Sequence, residues 1–439
     1  PATTRFLWTF PPAADQPLAD ALHPDVFPAR HGRAADLTKA LPAGGLAAWI
    51  GAAGGYALRV PRQPLAKDRF VDRQASVTPQ HPGTPRQRGL VLAVLTGILL
   101  AILALHWLYR VRTAEPTSFV REIAVFDTYA RLTLWTDQST AEAAFSDCAG
   151  ELARLHQVLN RFDPASEVSR LNAAADREPF ACSPELWDVL LAAREAYRRT
   201  GGAFDISVGP LMALWGFHRK RDTLPTDADI AEALNRVGLG RVQFDDAAHT
   251  VRFPVERMSL DFGGLAKGYA LDRMAAILKR HRIDRALVDL GGNVGCTSLP
   301  PPGRQSFVIG IRNPFDTAGM LGRIPVRGRA VSTSGNYERR TIIQGQEIGH
   351  IIDPRTGRPV SGPSGVTAVT PRGVDSDVFS TAVYVAGADL ARRLVSEVPG
   401  TGFALVMGTP AEPRMDVLGD LPLLDPQPSP AAPISVPRP

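Results

Sequence analysis

Met258 to Asp272 reads MSLDFGGLAKGYALD, and the interpretation of this stretch decides the fold. It runs strand-like to Leu260, passes Asp261, turns at Gly263-Gly264 and then repeats Ala266, Ala270 and Met274 at helical spacing. The pattern is a strand, a glycine turn and a helix start. A helix N-terminus presents unpaired N–H groups and a partial positive charge, and paired glycines let another group come close to the main chain. Lys267 adds a full cation in the first turn, where the helix dipole disfavours it unless an anion sits there. A bound phosphate accounts for that; a buried glycine turn with Lys267 in solvent is the alternative, and the segment alone weighs the two equally.

Outward from this stretch, a chain of 439 residues with 44% hydrophobic and 21% charged residues is globular, with length for two or three domains. The net charge is +5, but Arg and Lys are spread without a dense cluster, which argues against nucleic-acid binding. Cys148, Cys182 and Cys296 lie far apart with no CxxC, so neither a zinc site nor a disulfide framework is indicated. The first residue is Pro1 and not Met, as expected of a processed or truncated start. Residues 1–88 are rich in Pro, Ala and Arg and are expected to be partly disordered. Within them Gly44 to Leu58 is a short apolar run, and Pro79 to Arg88 reads as a linker.

Leu90 to Tyr109 (LVLAVLTGILLAILALHWLY) carries no charge apart from His106 over a length that crosses a bilayer as a helix. A single transmembrane helix is expected over 89–110, closed by Arg110 and Arg112. Arginines on both flanks leave its orientation open.

Beyond the span, Glu122 to Trp135 alternates like a strand pair or one long strand, and a helical pattern follows through Cys148, Leu152, Leu155 and Leu159. Arg161 to Asn172 reads as a turn-rich connector. Ser183-Pro184-Glu185 starts a helix that Gly201-Gly202 stops, which predicts a helix over Pro184 to Thr200. Asp205 reads as a helix cap in preference to a ligand contact. Ala286 to Leu290, Phe307 to Ile311 and Val366 to Thr370 read as strands, and Val331 to Arg340 as a small-residue turn. His350 stands before an apolar pair, where a lone histidine is usually structural. On a helix expected from Asp375, Asp377 and Thr381 share a face as two hard oxygen donors suited to Mg²⁺; a cap plus a hydroxyl bonded back to its own helix is the plainer reading. From about Pro410 the chain turns proline-rich, and 411–439 is expected to be a disordered tail.

Taken together, FDTY, FDPASEVSRLN, GGAFDISVGPLMALWGF, DFGGLAKGYALD, LVDLGGN, STSGNYERR, HIIDPRTGRPV and DSDVFSTA closely resemble the ApbE family of FAD:protein FMN transferases over residues 120–410. The resemblance implies an α+β, T-fold-like domain, FAD as substrate, Mg²⁺ as cofactor, and transfer of FMN to a threonine hydroxyl of an acceptor flavoprotein with release of AMP. It implies a domain outside the cytoplasmic membrane, anchored by the single span. By motif, Asp261 and Lys267 match FAD contacts, and Phe126 and Phe162 fall at flavin-side positions. Ala203, Phe204 and Asp205 match a flavin-contact triplet, His350 the base and a further FAD contact, and the Gly264 carbonyl, Asp377 and Thr381 the metal donors. Three positions depart from the commonest pattern: Phe126-Asp127-Thr128 stands for Met-Gly-Thr, Phe162 for Tyr and Asn336 for Asp.

A pyrophosphate is a poor electrophile until its charge is offset, which Mg²⁺ and Lys267 would do, and His350 would take the hydroxyl proton near neutral pH. Two alternatives share these residues: hydrolysis of FAD to FMN and AMP, and a membrane-tethered flavin-binding module without turnover.

Overall fold

The computed structural model describes residues 85–113, 117–316, 319–337 and 339–424, with side chains of 85–91 and 107–113 left out. The chain divides into two units, Pro1–Tyr109 and Arg110–Pro439. The apolar run Gly44 to Leu58, the linker apart from its last residues and the end of the tail lie outside the described residues. In the first unit the described element is the beginning of a helix, α1 (Pro85–Thr113), that runs through the expected span. Its described side chains, Leu92 to His106, are all exposed. Among the described residues no helix is long and apolar enough to cross a membrane, so the expected span is not borne out at this level.

In the second unit the chain runs β1 (Ser118–Val125), β2 (Thr128–Trp135), α2 (Gln138–Leu159), α3 (Glu167–Ala174), β3 (Phe180–Ala181) and α4 (Pro184–Thr200). Next come α5 (Gly209–Leu214), α6 (Asp227–Leu234), β4 (Gln243–Asp245), β5 (Thr250–Arg252), α7 (Ala266–Arg280), β6 (Ala286–Leu290) and β7 (Asn293–Cys296). The rest is β8 (Phe307–Arg312), β9 (Met320–Val326), β10 (Ala330–Ser334), β11 (Arg340–Ile343), β12 (Gln346–Gly349), β13 (Gly365–Thr370), α8 (Gly373–Ala386), α9 (Ala388–Glu397), β14 (Gly402–Gly408) and β15 (Pro413–Gly419).

Eight strands form one sheet in the order β1-β2-β6-β7-β10-β13-β14-β15. Every neighbouring pair is antiparallel. The period of two explains how its centre is buried on both faces. Val366, Ala368, Phe403 and Leu405 point to the core that holds α4 and α8, while Val369, Ala404 and Val406 point to the β8–β9 hairpin. A third cluster joins β2 and β6 to α2 and α7 through Leu132, Leu152, Met274 and Val288. The mixed helix-and-sheet class agrees with the sequence reading.

Four local expectations change. No strand precedes Asp261; Leu260 instead exchanges hydrogen bonds with the Asn172 side chain (N–H to Oδ1 2.7 Å, carbonyl from Nδ2 3.0 Å). The connector Arg161 to Asn172 contains α3, capped by Ser166. The Val331 to Arg340 turn begins as a central strand, β10, whose serines face α8. The first part of the expected tail is ordered instead, because β15 forms the sheet edge and Leu421 is buried.

Candidate active site

The glycine turn is built by packing, not by backbone strain: neither Gly263 nor Gly264 has a positive φ. A Cβ at Gly264 would meet the Phe204 ring at 3.0 Å and stand 3.8 Å from Thr381 Oγ1. Phe204, 6% exposed, therefore supports the turn, and Gly264 lies against α8. Helix α7 starts at Ala266 with no side-chain cap from its own N-cap residue, Leu265. The carboxylate of Asp377 on α8 supplies one instead, Oδ2 accepting the Gly268 N–H at 2.8 Å. Asp377 is 4% exposed, and its Oδ1 has no hydrogen bond from the described residues.

Thr381 Oγ1 lies 2.9 Å from Ser334 Oγ, which also contacts Ser380 Oγ at 2.9 Å. Ser332 and Ser376 repeat the contact at 2.7 Å, so β10 holds the site face of α8 through buried hydroxyls. Thr381 also donates to the Asp377 carbonyl at 3.3 Å, the back-bonding expected of a helical threonine. Asp377 caps a different helix from the one that carries it, so the plain reading of the pair is only half right.

Lys267, in the first turn of α7, is half-buried and makes no hydrogen bond or ion pair with the described residues. Its charge is felt at His350, at the end of β12. His350 Nδ1–H donates to the Arg339 carbonyl at 3.1 Å, which fixes the tautomer and leaves Nε2 as the basic nitrogen. Burial first, then the charges of Arg339 and Lys267, lower its pKa to about 4 against the Arg339 carbonyl bond. Its ring meets Phe217 edge-on at 6.5 Å. The hairpin before it is anchored by Ile343 and Ile348, which pack with Trp215 and Phe217. His350 is not a satisfied core histidine.

Asp261 sits at the other end of the turn. Its Oδ2 accepts from His218 Nε2 at 2.8 Å and Arg161 at 3.0 Å, and Oδ1 accepts the Gly263 N–H at 2.9 Å. Burial raises its pKa, but the His218 bond, the Arg161 and His218 charges and the Gly263 N–H win and hold the carboxyl well below its usual range. Phe162, 52% exposed, lies beside this cluster with its ring 6.2 Å from His218. His218 and Arg161 were not singled out by the sequence. Their partner is 43 and 100 residues away, a separation no local pattern spans.

The flavin-contact triplet is otherwise engaged. Ala203 is 2% exposed. Both Asp205 oxygens serve the protein, Oδ1 accepting from Ser207 N at 2.7 Å and Oγ at 2.6 Å, and Oδ2 from Leu239 N at 3.0 Å. The Asp205 side chain thus acts as a cap. Phe126, at φ 50 in the β1–β2 turn, stacks near His156 at 5.8 Å. His156 accepts from Asn160 Nδ2, and Asn160 Oδ1 accepts the Phe162 N–H, both at 3.1 Å, while Phe126 also packs against the core cluster that holds Phe204. A separate cleft of about 600 Å³ is lined by Asn336, Tyr337, Arg340 and Tyr384, and none of the expected site residues faces it.

Among the described residues no three His, Cys, Asp or Glu side chains gather for a metal. The Gly264 carbonyl, Asp377 and Thr381 nevertheless form an all-oxygen set with one carboxylate. That suits Mg²⁺, which uses one or two carboxylates and completes its shell with water and substrate phosphate, and does not suit zinc.

The ApbE family model matches residues 126–405. The FAD:protein FMN transferase of Treponema pallidum (strain Nichols) is 32% identical over 303 residues, covering 65% of this chain and 84% of that protein. That of Rhodobacter capsulatus is 34% identical over 317 residues, covering 70% of this chain and 59% of the relative. Among solved structures, the ApbE protein of Thermotoga maritima aligns with a TM-score of 0.62 at 29% identity, over 68% of this chain and 96% of that one. The flavin transferase ApbE of Vibrio cholerae gives 0.62 at 23% identity over 70% and 98%, a likeness of fold.

Proposed function

We propose a mechanism from a settled premise: this chain belongs to the ApbE family and is an FAD:protein FMN transferase, moving FMN from FAD to a protein acceptor. In our reading the acceptor nucleophile is a threonine hydroxyl, Mg²⁺ is required and AMP leaves. The observation that carries it is a first-turn lysine without a carboxylate partner, electrostatically coupled to a histidine whose Nε2 is free.

His350 Nε2 takes the hydroxyl proton as the threonine oxygen attacks the FMN-side phosphorus. The new O–P bond forms as the bond to the bridging oxygen breaks, and that oxygen departs with AMP. Lys267 stabilises charge on the phosphates. Asp377, Thr381 and the Gly264 carbonyl would hold Mg²⁺, which supplies further charge neutralisation at the pyrophosphate. Phe162 offers a face for the flavin ring, and Asp261, fixed by His218 and Arg161, orients the turn.

The T-fold-like assignment and the anchor belong to the same proposal. The uncharged run Leu90 to Tyr109 supports a single-pass tether, with the transferase domain outside the cytoplasmic membrane. The test is mass spectrometry of an acceptor flavoprotein after incubation with the chain, FAD and Mg²⁺. A covalent FMN on threonine with one AMP per adduct is expected; AMP and free FMN without an adduct would favour hydrolysis instead.

A further inference from the structure

The two helices that meet at the site close each other's open ends. Helix α8 has no side-chain cap from Arg372, its own N-cap residue. Its first two N–H groups donate to Asp272 of α7 instead, Gly373 to Oδ1 at 2.5 Å and Val374 to Oδ2 at 3.1 Å. Asp377 of α8 returns the contact by accepting the Gly268 N–H of α7. Between the two aspartates the backbones touch. A Cβ at Gly268 would stand 2.6 Å from Asp377 Cβ, and one at Gly373 would stand 2.5 Å from the Gly268 carbonyl oxygen.

We propose that Asp272 is a positioning residue for the metal-binding carboxylate Asp377, through its hold on the first turn of α8. The inference rests on the metal donor set proposed above. Two of those donors, Asp377 and Thr381, ride on α8, and the third, Gly264, stands just before α7, so their separation is set where the helices cross. Asp272 is the side chain that ties that crossing from the α7 side. The serine contacts from β10 hold α8 independently, so losing Asp272 shifts its first turn and leaves the helix in place. Partners that orient a metal ligand typically change affinity ten- to a hundredfold when removed.

Mn²⁺, which takes the same oxygen donors, is the probe, counted by electron paramagnetic resonance on the full FAD-loaded chain. Asp272→Ala is expected to weaken Mn²⁺ binding about tenfold. Asp272→Asn, which keeps one acceptor, should recover part of it, with FAD affinity in the absence of metal unchanged in both. A purely structural role would lower the melting temperature without moving Mn²⁺ affinity, and Mn²⁺ binding within twofold of wild type in both variants overturns the proposal. Should Asp272→Ala fail to fold, Asp272→Asn alone decides. Asp377→Asn separates the two layers: if it binds Mn²⁺ normally, the donor assignment and this inference fall together. If it loses Mn²⁺ while the Asp272 variants keep it, only the inference falls.

Discussion

His350 combines a ring nitrogen fixed by a backbone carbonyl with a basic nitrogen kept neutral by burial and neighbouring cations. With its pKa lowered to about 4, the ring stays neutral at pH 6, where an ordinary histidine is mostly protonated. In the FAD-free chain its imidazole signals should titrate near pH 4, and a midpoint near 6.5 would contradict this environment. Because the neutral form is the base, protonation below that midpoint removes it. His350→Gln should cut transfer about 10²- to 10⁴-fold. Lys267→Ala acts on the other partner and should weaken FAD about tenfold, read by fluorescence titration. Helix periodicity placed Lys267 in the first turn of α7 and Asp377 and Thr381 together on α8, while the roles proposed for them came from the resemblance. His218 and Arg161 were not legible, since their meaning comes only from the folded pair they make with Asp261. The cap that the chemistry of Asp205 suggested is present in the structure.

At the scale of elements, the α7–α8 crossing is tightest at Gly268, where an added methyl has only backbone and Asp377 to push against. Gly268→Ala should lower stability by about 1–3 kcal/mol, seen as a fall in thermal midpoint, with metal affinity falling alongside it. Helix α4 was readable to both ends because Ser183, Pro184 and Gly201 each have one local job, and the structure shows all three performing it. Strand β10 was misread for the opposite reason. Its Ser332 and Ser334 are small and polar like turn residues, yet their hydroxyls bond across to α8 in the interior. The segment before Asp261 alternates like a strand, but its main chain is satisfied by the Asn172 side chain and by Ile206, so no ladder forms.

For the whole molecule, β10 meets α8 through Ser334 and Thr381, and α8 meets the start of α7 through Asp377 and Gly268, which brings the glycine turn against α8. The strand-and-helix content was legible as a class, while the strand order was not, because β10 reaches β7 and β13 across long intervals of sequence. The tether proposed for the chain's first unit is tested separately. Leu99→Lys with Leu103→Lys would put two charges into the apolar run at several kcal/mol. The full chain should then move from the membrane fraction to the supernatant, and unchanged partition in the wild type and the variant would remove the tether. The most direct test of the convergent site compares wild type with Asp377→Ala in metal-dependent FMN transfer, followed by intact-mass analysis of the acceptor. An FMN adduct with wild type and none with the variant is predicted; an adduct formed at the wild-type rate by Asp377→Ala would contradict the account.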